Sequence, residues 1–128
     1  MDQPTTKKIL IVEDNKDFLW ILRQSFDNQN VSVTYATDGQ EGLNMAEKEK
    51  PDLIIMDILL PKIDGISVAR KLKEDGINTK MIFLTNFKDS EHISDAIEAF
   101  SDADYIVKTD LRIDDIVSRV IERIRDDV

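Results

Sequence analysis

The chain has 128 residues, of which 41% are hydrophobic and 34% charged, and its 26 acidic against 17 basic side chains give a net charge of −9. This composition is typical of one folded domain and not of a disordered chain. The absence of cysteine excludes disulfides, thiolate metal sites and cysteine nucleophiles. A strongly acidic domain is poorly suited to hold nucleic-acid phosphates and better suited to bind cations or basic protein surfaces.

The apolar runs of the sequence are short. Residues 9–12 and Leu53–Met56 are examples, and both fall far below the roughly 20 residues that a membrane-spanning helix needs. Residues 1–8 are polar and lack the apolar core of a signal peptide, so we expect the chain to be cytoplasmic.

Five runs rich in β-branched and other apolar residues predict β-strands. Most of them are apolar almost throughout, which is typical of parallel strands covered on both faces, whereas the second is more polar and is expected near an edge. The predicted strands are residues 8–13, Val31–Ala36, Leu53–Met56, 80–84 and Asp104–Val107.

Amphipathic segments with helical periodicity separate these runs and follow the last one. Acidic residues at the start of several segments favour helix initiation there. The predicted buried stripes are Phe18, Ile21, Leu22, Ser25 and Phe26, then Leu43 and Ala46, then Ile66, Ala69 and Leu72, then Ile93, Ala96, Ile97 and Phe100, and finally Ile113, Ile116, Val117, Val120, Ile121 and Ile124.

Strands and helices therefore alternate, which predicts an α/β fold of the doubly wound (βα)5 type, a three-layer sandwich around a parallel sheet. The sequence contains no Pro/Gly/Ser-rich linker, internal repeat or low-complexity segment. We expect one domain over residues 1–128, with residues 1–7 as a flexible N-terminal tail.

Polar residues that can take part in chemistry stand where the predicted strands end. Glu13 and Asp14 follow the first strand, Asp57 the third, Thr85 the fourth and Lys108 the fifth. Ligands of open parallel sheets bind beyond the carboxyl ends of the strands, so we expect these side chains to converge there.

Three carboxylates that lie close together repel one another unless a cation neutralises them, and Mg²⁺ suits such oxygen ligands. One carboxylate could then attack phosphorus, and Asp57 is the best candidate because it ends a central strand. Lys108 and Thr85 could bind the phosphoryl oxygens, because phosphoryl transfer depends mainly on positioning and charge neutralisation.

Several sequence markers stand at or near the ends of the predicted strands. They are, in chain order, Glu13-Asp14, residues 56–61 with Gly65 eight residues after Asp57, Leu84-Thr85, and residues 104–108. Together they resemble the receiver domain of two-component response regulators. The resemblance runs from about Lys8 to the end of the chain and implies the family's flavodoxin-like sheet order, 2-1-3-4-5.

This resemblance implies a role for each acidic residue. Asp57 would be the phosphoacceptor, and Asp14 and Asp57 would bind Mg²⁺ directly, whereas Glu13 would bind it through water. The backbone carbonyl of Leu59 would be a further ligand.

The resemblance also implies a switch. Thr85 and Lys108 would bind the phosphoryl oxygens, and Thr85 would swing inward on phosphorylation, letting Tyr105 turn from exposed to buried. That would remodel the face formed by the fourth helix, fifth strand and fifth helix. We expect a sensor histidine kinase or histidine phosphotransfer protein as donor, and partner docking or homodimerisation through this face as output. The domain itself would bind neither nucleic acid nor membrane, and it would be no enzyme beyond assisting its own phosphorylation and dephosphorylation.

Two positions depart from the family pattern. Asn86 stands where a small residue usually follows the switch threonine, and Thr109 stands where a proline with a cis bond usually follows Lys108. A cis bond before a residue other than proline costs about 2.5–4 kcal/mol. We therefore predict a trans Lys108–Thr109 bond and a rearranged loop.

Three other functions were weighed. A phosphatase with an aspartate nucleophile would need an Asp-x-Asp motif after the first strand, and residues 13–17 do not provide it. A nucleotide or flavin binder would need a phosphate-binding loop, for which four glycines in the chain do not suffice. A degenerate receiver that docks partners without phosphorylation stays open as the alternative.

Overall fold

The computed structural model describes residues 6–125, in which five β-strands alternate with five α-helices. Each strand is followed by a helix, so every connection can cross over the sheet and return to a parallel strand. The elements are β1 (Lys7–Val12), α1 (Lys16–Gln24), β2 (Val31–Ala36), α2 (Gly39–Glu49), β3 (Leu53–Met56), α3 (Gly65–Glu74), β4 (Lys80–Thr85), α4 (Ser90–Ala99), β5 (Asp104–Val107) and α5 (Ile113–Arg125).

The five strands form one parallel sheet in the order β2-β1-β3-β4-β5. β1 lies between β2 and β3, with Ile9 opposite Val33 on one side and Leu53 on the other. The predicted α/β class and strand order are confirmed. This order puts β1 and β3 side by side, and the ends of these two strands carry the acidic residues of interest.

Side chains that alternate along the strands build two hydrophobic layers, one on each face of the sheet. Leu10 and Val12 point into the layer covered by α2, α3 and α4, whereas Ile9 and Ile11 point into the layer covered by α1 and α5. All four of these side chains are at most 1% exposed. Burial on both faces explains why these strands are apolar throughout.

Four of the helices begin with a polar side chain that caps the first turn. In each case the side-chain oxygen accepts a hydrogen bond from the backbone N–H three residues later. Such caps typically contribute about 1 kcal/mol each. They fix where each helix begins, and hence the length of the loop between it and the preceding strand. The capping residues are Asn15, Asp38, Asp64 and Asp89.

The predicted buried face of the first helix is partly wrong. Leu19 and Leu22 are buried in α1, whereas Ile21 is 44% exposed. Successive residues on a helix point about 100° apart, so a face centred on Leu19 and Leu22 turns Ile21 toward solvent. In α4, Ile97 is likewise 38% exposed.

Two residues of the predicted N-terminal tail, Thr6 and Lys7, are described, and Thr6 is exposed and outside any strand or helix. Lys7 belongs to β1, where it pairs with Val31, so the strand starts inside the span expected to be a tail. Residues 1–5 of that span lie outside the described residues. Over residues 6–125, no helix has both the length and the apolar character needed to cross a bilayer.

Candidate functional site

Asp57 stands directly after β3, at the carboxyl edge of the sheet. Its backbone N–H donates to the carbonyl of Val12 at 3.0 Å, which continues the pairing of β3 with β1. Its Oδ1 accepts a hydrogen bond from the N–H of Ile58 at 2.7 Å, and the residue is 7% exposed. The backbone therefore holds this carboxylate in place, and Oδ2 faces Nζ of Lys108.

Glu13 extends the neighbouring strand and is 2% exposed. Its backbone N–H donates to the carbonyl of Ala36 at 3.0 Å. Its Oε2 accepts from the N–H of Asn15 at 3.0 Å, and its Oε1 lies 2.7 Å from Nζ of Lys108. Both oxygens of this buried carboxylate thus have partners within the protein.

Asp14 completes a cluster of three carboxylates. One oxygen from each of Glu13, Asp14 and Asp57 lies within 4.8 Å of the others, and Asp14 is the exposed member. The ammonium group of Lys108 contacts the cluster and offsets one of the three carboxylate charges, so two negative charges remain. A divalent cation that prefers oxygen ligands fits both the charge and the donor set.

Lys108 directly follows the edge strand β5, and its side chain reaches the cluster. Its backbone N–H donates to the carbonyl of Thr85 at 2.8 Å, and its Nζ lies 3.1 Å from Oδ2 of Asp57. All peptide bonds in the described part of the chain are trans, which confirms the prediction for the bond to Thr109. The loop continues with a hydrogen bond from the N–H of Asp110 to the carbonyl of Val107 at 2.9 Å.

Burial and mutual contact shift the pKa values of Glu13 and Lys108. Loss of solvation raises the pKa of Glu13, which the hydrogen bond from Lys108 opposes and the nearby charge of Asp57 reinforces. Burial lowers the pKa of Lys108, but the hydrogen bond to Glu13 and the charges of Asp57 and Glu13 outweigh burial, so the pKa is raised. Lys108 therefore stays charged at neutral pH and can neutralise anionic groups that enter the site.

A cavity of about 330 Å³ opens beside these groups. Thr85, the last residue of β4, is 1% exposed and lines it, as does exposed Asn86. Leu59 lines it with a side chain that is 68% exposed. The cavity thus brings together Glu13, Asp14, Asp57, Thr85 and Lys108, as predicted from the strand ends. The metal-binding role of the Leu59 carbonyl remains a prediction.

Gly65, at the start of α3, lies against the backbone of Asp57. A Cβ at this position would overlap the carbonyl group of Asp57, and the N–H of Gly65 donates to the carbonyl of Ile58 at 2.8 Å. Only glycine permits this close approach of helix and loop. Gly65 therefore helps to set the position of Asp57.

Tyr105 of β5 is half-buried and contacts the loop that follows β4. Its hydroxyl donates to the carbonyl of Phe87 at 2.9 Å, and its ring packs at 6.3 Å from the ring of Phe83. Burial, with smaller effects from Asp89 and Asp57, raises the pKa of Tyr105 to about 12. The predicted change of Tyr105 between exposed and buried positions remains a prediction.

Sequence reasoning missed three residues around the site. Asn15 donates its N–H to Glu13, Phe87 lines the cavity, and the ring of Phe18 lies 4.5 Å from Nζ of Lys108. A signal for Phe18 existed, because it is four residues after Asp14 and thus in the first turn of the predicted helix. Its contact with Lys108 depends on how α1 is rotated against the sheet, which the sequence pattern does not specify.

Comparisons with known proteins agree with this geometry. A family model described as the response regulator receiver domain matches residues 9–121. The alkaline phosphatase synthesis transcriptional regulatory protein PhoP of Bacillus subtilis is 41% identical over 85 residues, which are 66% of this chain and 35% of that protein. The chain therefore spans about a third of the length of this curated relative.

Two solved structures are similar over nearly the whole chain. The receiver domain of the Francisella response regulator 1452 has a TM-score of 0.87 at 28% identity, with 96% of this chain and all of that one covered. A complex of CheX and CheY with BeF3 and Mg²⁺ from Borrelia burgdorferi contains a chain with a TM-score of 0.80 at 25% identity, covering 91% of this chain and 87% of that one.

Proposed function

The chain belongs to the response regulator receiver domain family, and on that premise we propose that it is a Mg²⁺-dependent phosphoryl acceptor of two-component signalling, with Asp57 as the acceptor. One observation carries the proposal. Three carboxylates lie within 4.8 Å of one another, and Lys108 lies 3.1 Å from the carboxylate of Asp57. A bound cation and an incoming phosphoryl group would account for these three carboxylates and the lysine at one edge of the sheet.

The chemical step would move a phosphoryl group from an oxygen or nitrogen atom of the donor to an oxygen atom of Asp57. Oδ2 of Asp57 would attack phosphorus, a new P–O bond would form, and the bond between phosphorus and the donor would break with its electron pair on the donor. Lys108 would hold one oxygen of the transferred group, and the hydroxyl of Thr85 another. The product is an acyl phosphate on Asp57.

The cation would be held by Asp14 and Asp57, by Glu13 through water, and by the backbone carbonyl of Leu59. When bound, Mg²⁺ supplies positive charge against the phosphoryl oxygens. The Borrelia structure, solved with BeF3 and Mg²⁺, supports this choice of ion. The acidic cluster gives the choice independent support, because all its donors are carboxylate oxygens.

The output would pass through Tyr105. Its hydroxyl bonds the loop between β4 and α4, at the carbonyl of Phe87, and that loop begins next to Thr85. An inward movement of Thr85 would therefore pull on the segment that Tyr105 holds, and the α4-β5-α5 face would change. Phosphorylation would add negative charge at Asp57, and a local change of charge that biases a two-state element is the usual physics of phosphorylation switches.

The partners follow from this chemistry. A sensor histidine kinase or a histidine phosphotransfer protein would donate the phosphoryl group, and a partner or a second copy of the chain would bind the α4-β5-α5 face. The Bacillus relative is named a transcriptional regulator. We propose the same kind of output for the protein in which this domain acts, through a partner or a further domain and not through nucleic-acid binding by this acidic domain. The chain would assist only its own phosphorylation and dephosphorylation.

Beryllofluoride, a non-covalent mimic of the phosphoryl group, tests the proposal without a reaction. We would record amide NMR spectra with Mg²⁺ alone, with beryllofluoride alone and with both. The proposal expects Mg²⁺ alone to shift amides beside the acidic cluster, including that of Asp57. The two additives together should add saturable shifts at Thr85 and Tyr105 that neither gives alone and that an Asp57→Asn variant lacks. The same spectra with and without both additives would contradict the proposal and favour a docking module that is independent of phosphorylation.

A further inference from the structure

The ring of Phe18 lies beside the ammonium group of Lys108. Nζ is 4.5 Å from the ring centroid, 2.7 Å from Oε1 of Glu13 and 3.1 Å from Oδ2 of Asp57. An ammonium has three N–H donors, of which the two carboxylates can take two. The ring stands within the range of a cation–π contact and covers a further side of the ammonium.

Phe18 is well placed to keep this contact, because it is fixed to the fold. It is a half-buried residue of α1, and it packs against the hydrophobic layer between the sheet, α1 and α5. The helix begins at the Asn15 cap, whose side chain accepts from the N–H of Phe18 itself at 3.0 Å. The cap thus places the backbone of Phe18, and packing on the apolar layer places its ring beside Lys108.

The position of the Lys108 ammonium group depends on such contacts. Its side chain is a flexible four-carbon stem with a compact charge at its end, and the residue after it is exposed Thr109. Within the site its ammonium is held by the carboxylates of Glu13 and Asp57. Both carboxylates would change partners when a divalent cation and a phosphoryl group enter. The neutral ring of Phe18 would not, because Mg²⁺ prefers oxygen ligands.

We propose that Phe18 is a positioning residue for phosphoryl transfer, whose ring holds the ammonium of Lys108 against the entering phosphoryl group while the carboxylates turn to the cation. This inference rests on the proposed function. It predicts that loss of the ring slows the transfer and leaves the binding of Mg²⁺ intact. A purely structural role of Phe18 would instead weaken both, because damage to α1 would also displace Glu13 and Asp14.

The test compares Phe18→Leu, which keeps an apolar side chain, with Phe18→Tyr, which keeps the ring. Trp20→Leu is the matched control, because Trp20 is an aromatic residue of the same helix that is 61% exposed. Acetyl phosphate at saturating Mg²⁺ gives the rate of phosphorylation, and calorimetric titration gives the dissociation constant of Mg²⁺. NMR gives the shift of the Lys108 ε-methylene protons, assigned with a Lys108→Met variant.

The expected rate of Phe18→Leu is about two- to fivefold below that of the wild type, the size of a cation–π contact expressed as a rate ratio. Phe18→Tyr and Trp20→Leu are expected at the wild-type rate, and the Mg²⁺ dissociation constant is expected to be the same in all. The ε-methylene protons should carry a ring-current shift in the wild type and in Phe18→Tyr but not in Phe18→Leu.

Three results would overturn the inference: equal rates in Phe18→Leu and wild type, no advantage of Phe18→Tyr over Phe18→Leu, or weaker Mg²⁺ binding in Phe18→Leu. A wild-type chain that accepts no phosphoryl group would refute the proposed function itself, and the inference with it. The rate of the wild type therefore separates the two failures.

Discussion

The ammonium of Lys108 lies 2.7 Å from Glu13 and 3.1 Å from Asp57, so one cationic side chain bridges two of the three carboxylates of the site. A metal ion bound at this cluster would interact with the same two carboxylates as Lys108. Lys108 neutralises the cluster in part, and it would compete with a bound cation for the carboxylates.

Replacement of Lys108 by methionine separates these two effects. We expect Lys108→Met to bind Mg²⁺ more tightly, because a competing positive charge is gone. We expect it to be phosphorylated by acetyl phosphate about 100-fold more slowly, the usual cost of losing one charged donor to a transition state. Calorimetry and intact mass over time measure the two quantities. Lys88→Met is the control, since Lys88 is exposed and 3.9 Å from Asp110; equal effects of both variants would contradict the prediction.

The two acidic residues after β1 should contribute unequally to metal binding. Both oxygens of Glu13 have protein partners, Lys108 and the N–H of Asn15, whereas Asp14 is exposed. We therefore expect Asp14→Asn to weaken Mg²⁺ binding on the order of 100-fold and Glu13→Gln on the order of 10-fold, as for direct and outer ligands. Titration calorimetry checks this order.

Asp17→Asn provides the control for that comparison, because it removes an exposed carboxylate from the first turn of α1. Its Mg²⁺ affinity should stay close to that of the wild type. A larger loss in Glu13→Gln than in Asp14→Asn would reverse the assignment of direct and water-mediated ligands.

Gly65 should tolerate no larger residue. Its added Cβ would overlap the carbonyl of Asp57, which is backbone and cannot move aside as a side chain can. We expect Gly65→Ala to lower the free energy of unfolding by about 3 kcal/mol and to slow phosphorylation, as measured by urea titration and acetyl phosphate assays. Gly76→Asn is the control: nothing lies within 4 Å of a Cβ there, and asparagine tolerates the positive φ of 71°. A stable and active Gly65→Ala would show that the close approach is dispensable.

Much of this arrangement was predictable from the sequence. Apolar runs predicted the strands because burial on both faces leaves no room for polar residues, and strand ends predicted the cluster because parallel strands bring their carboxyl ends to one edge. The trans bond before Thr109 followed from the energy of the peptide bond alone. These features depend on local composition and on topology.

Other features depend on rotation and rotamers, which periodicity does not specify. Ile21 was placed on the wrong face because several apolar residues of α1 allow more than one buried stripe, and packing selects Leu19. The contact of Phe18 with Lys108 joins side chains from two elements distant in sequence. The contacts of Lys108 with Glu13 and Asp57 likewise join side chains that are distant in sequence.

Tyr105 should make stability depend on pH in the alkaline range. Its pKa is about 12 in the folded protein and 10.0 as the ordinary value, so the unfolded chain loses the hydroxyl proton first. Between these values the folded state binds more protons, and the free energy of unfolding falls as pH rises from about 10 toward 12. A Tyr105→Phe variant lacks this contribution.

Denaturant titrations at neutral and alkaline pH check that sign. At pH 7 Tyr105→Phe should be less stable by about 1 kcal/mol, because the hydrogen bond to the carbonyl of Phe87 is lost. Above about pH 10 the difference should shrink and then change sign before pH 12, because deprotonation would cost the folded wild type more than this one hydrogen bond contributes. Tyr35→Phe is the control, since Tyr35 is 43% exposed; parallel curves for wild type and Tyr105→Phe at all pH values would contradict the prediction.

Intact mass spectrometry after incubation with acetyl phosphate, with and without Mg²⁺, tests the phosphoryl acceptor role most directly. The wild type should gain the mass of one phosphoryl group only when Mg²⁺ is present, and a folded Asp57→Asn variant should gain none. A wild type that stays unmodified under both conditions while remaining folded, or an Asp57→Asn variant modified to the same extent, would contradict the role assigned to Asp57.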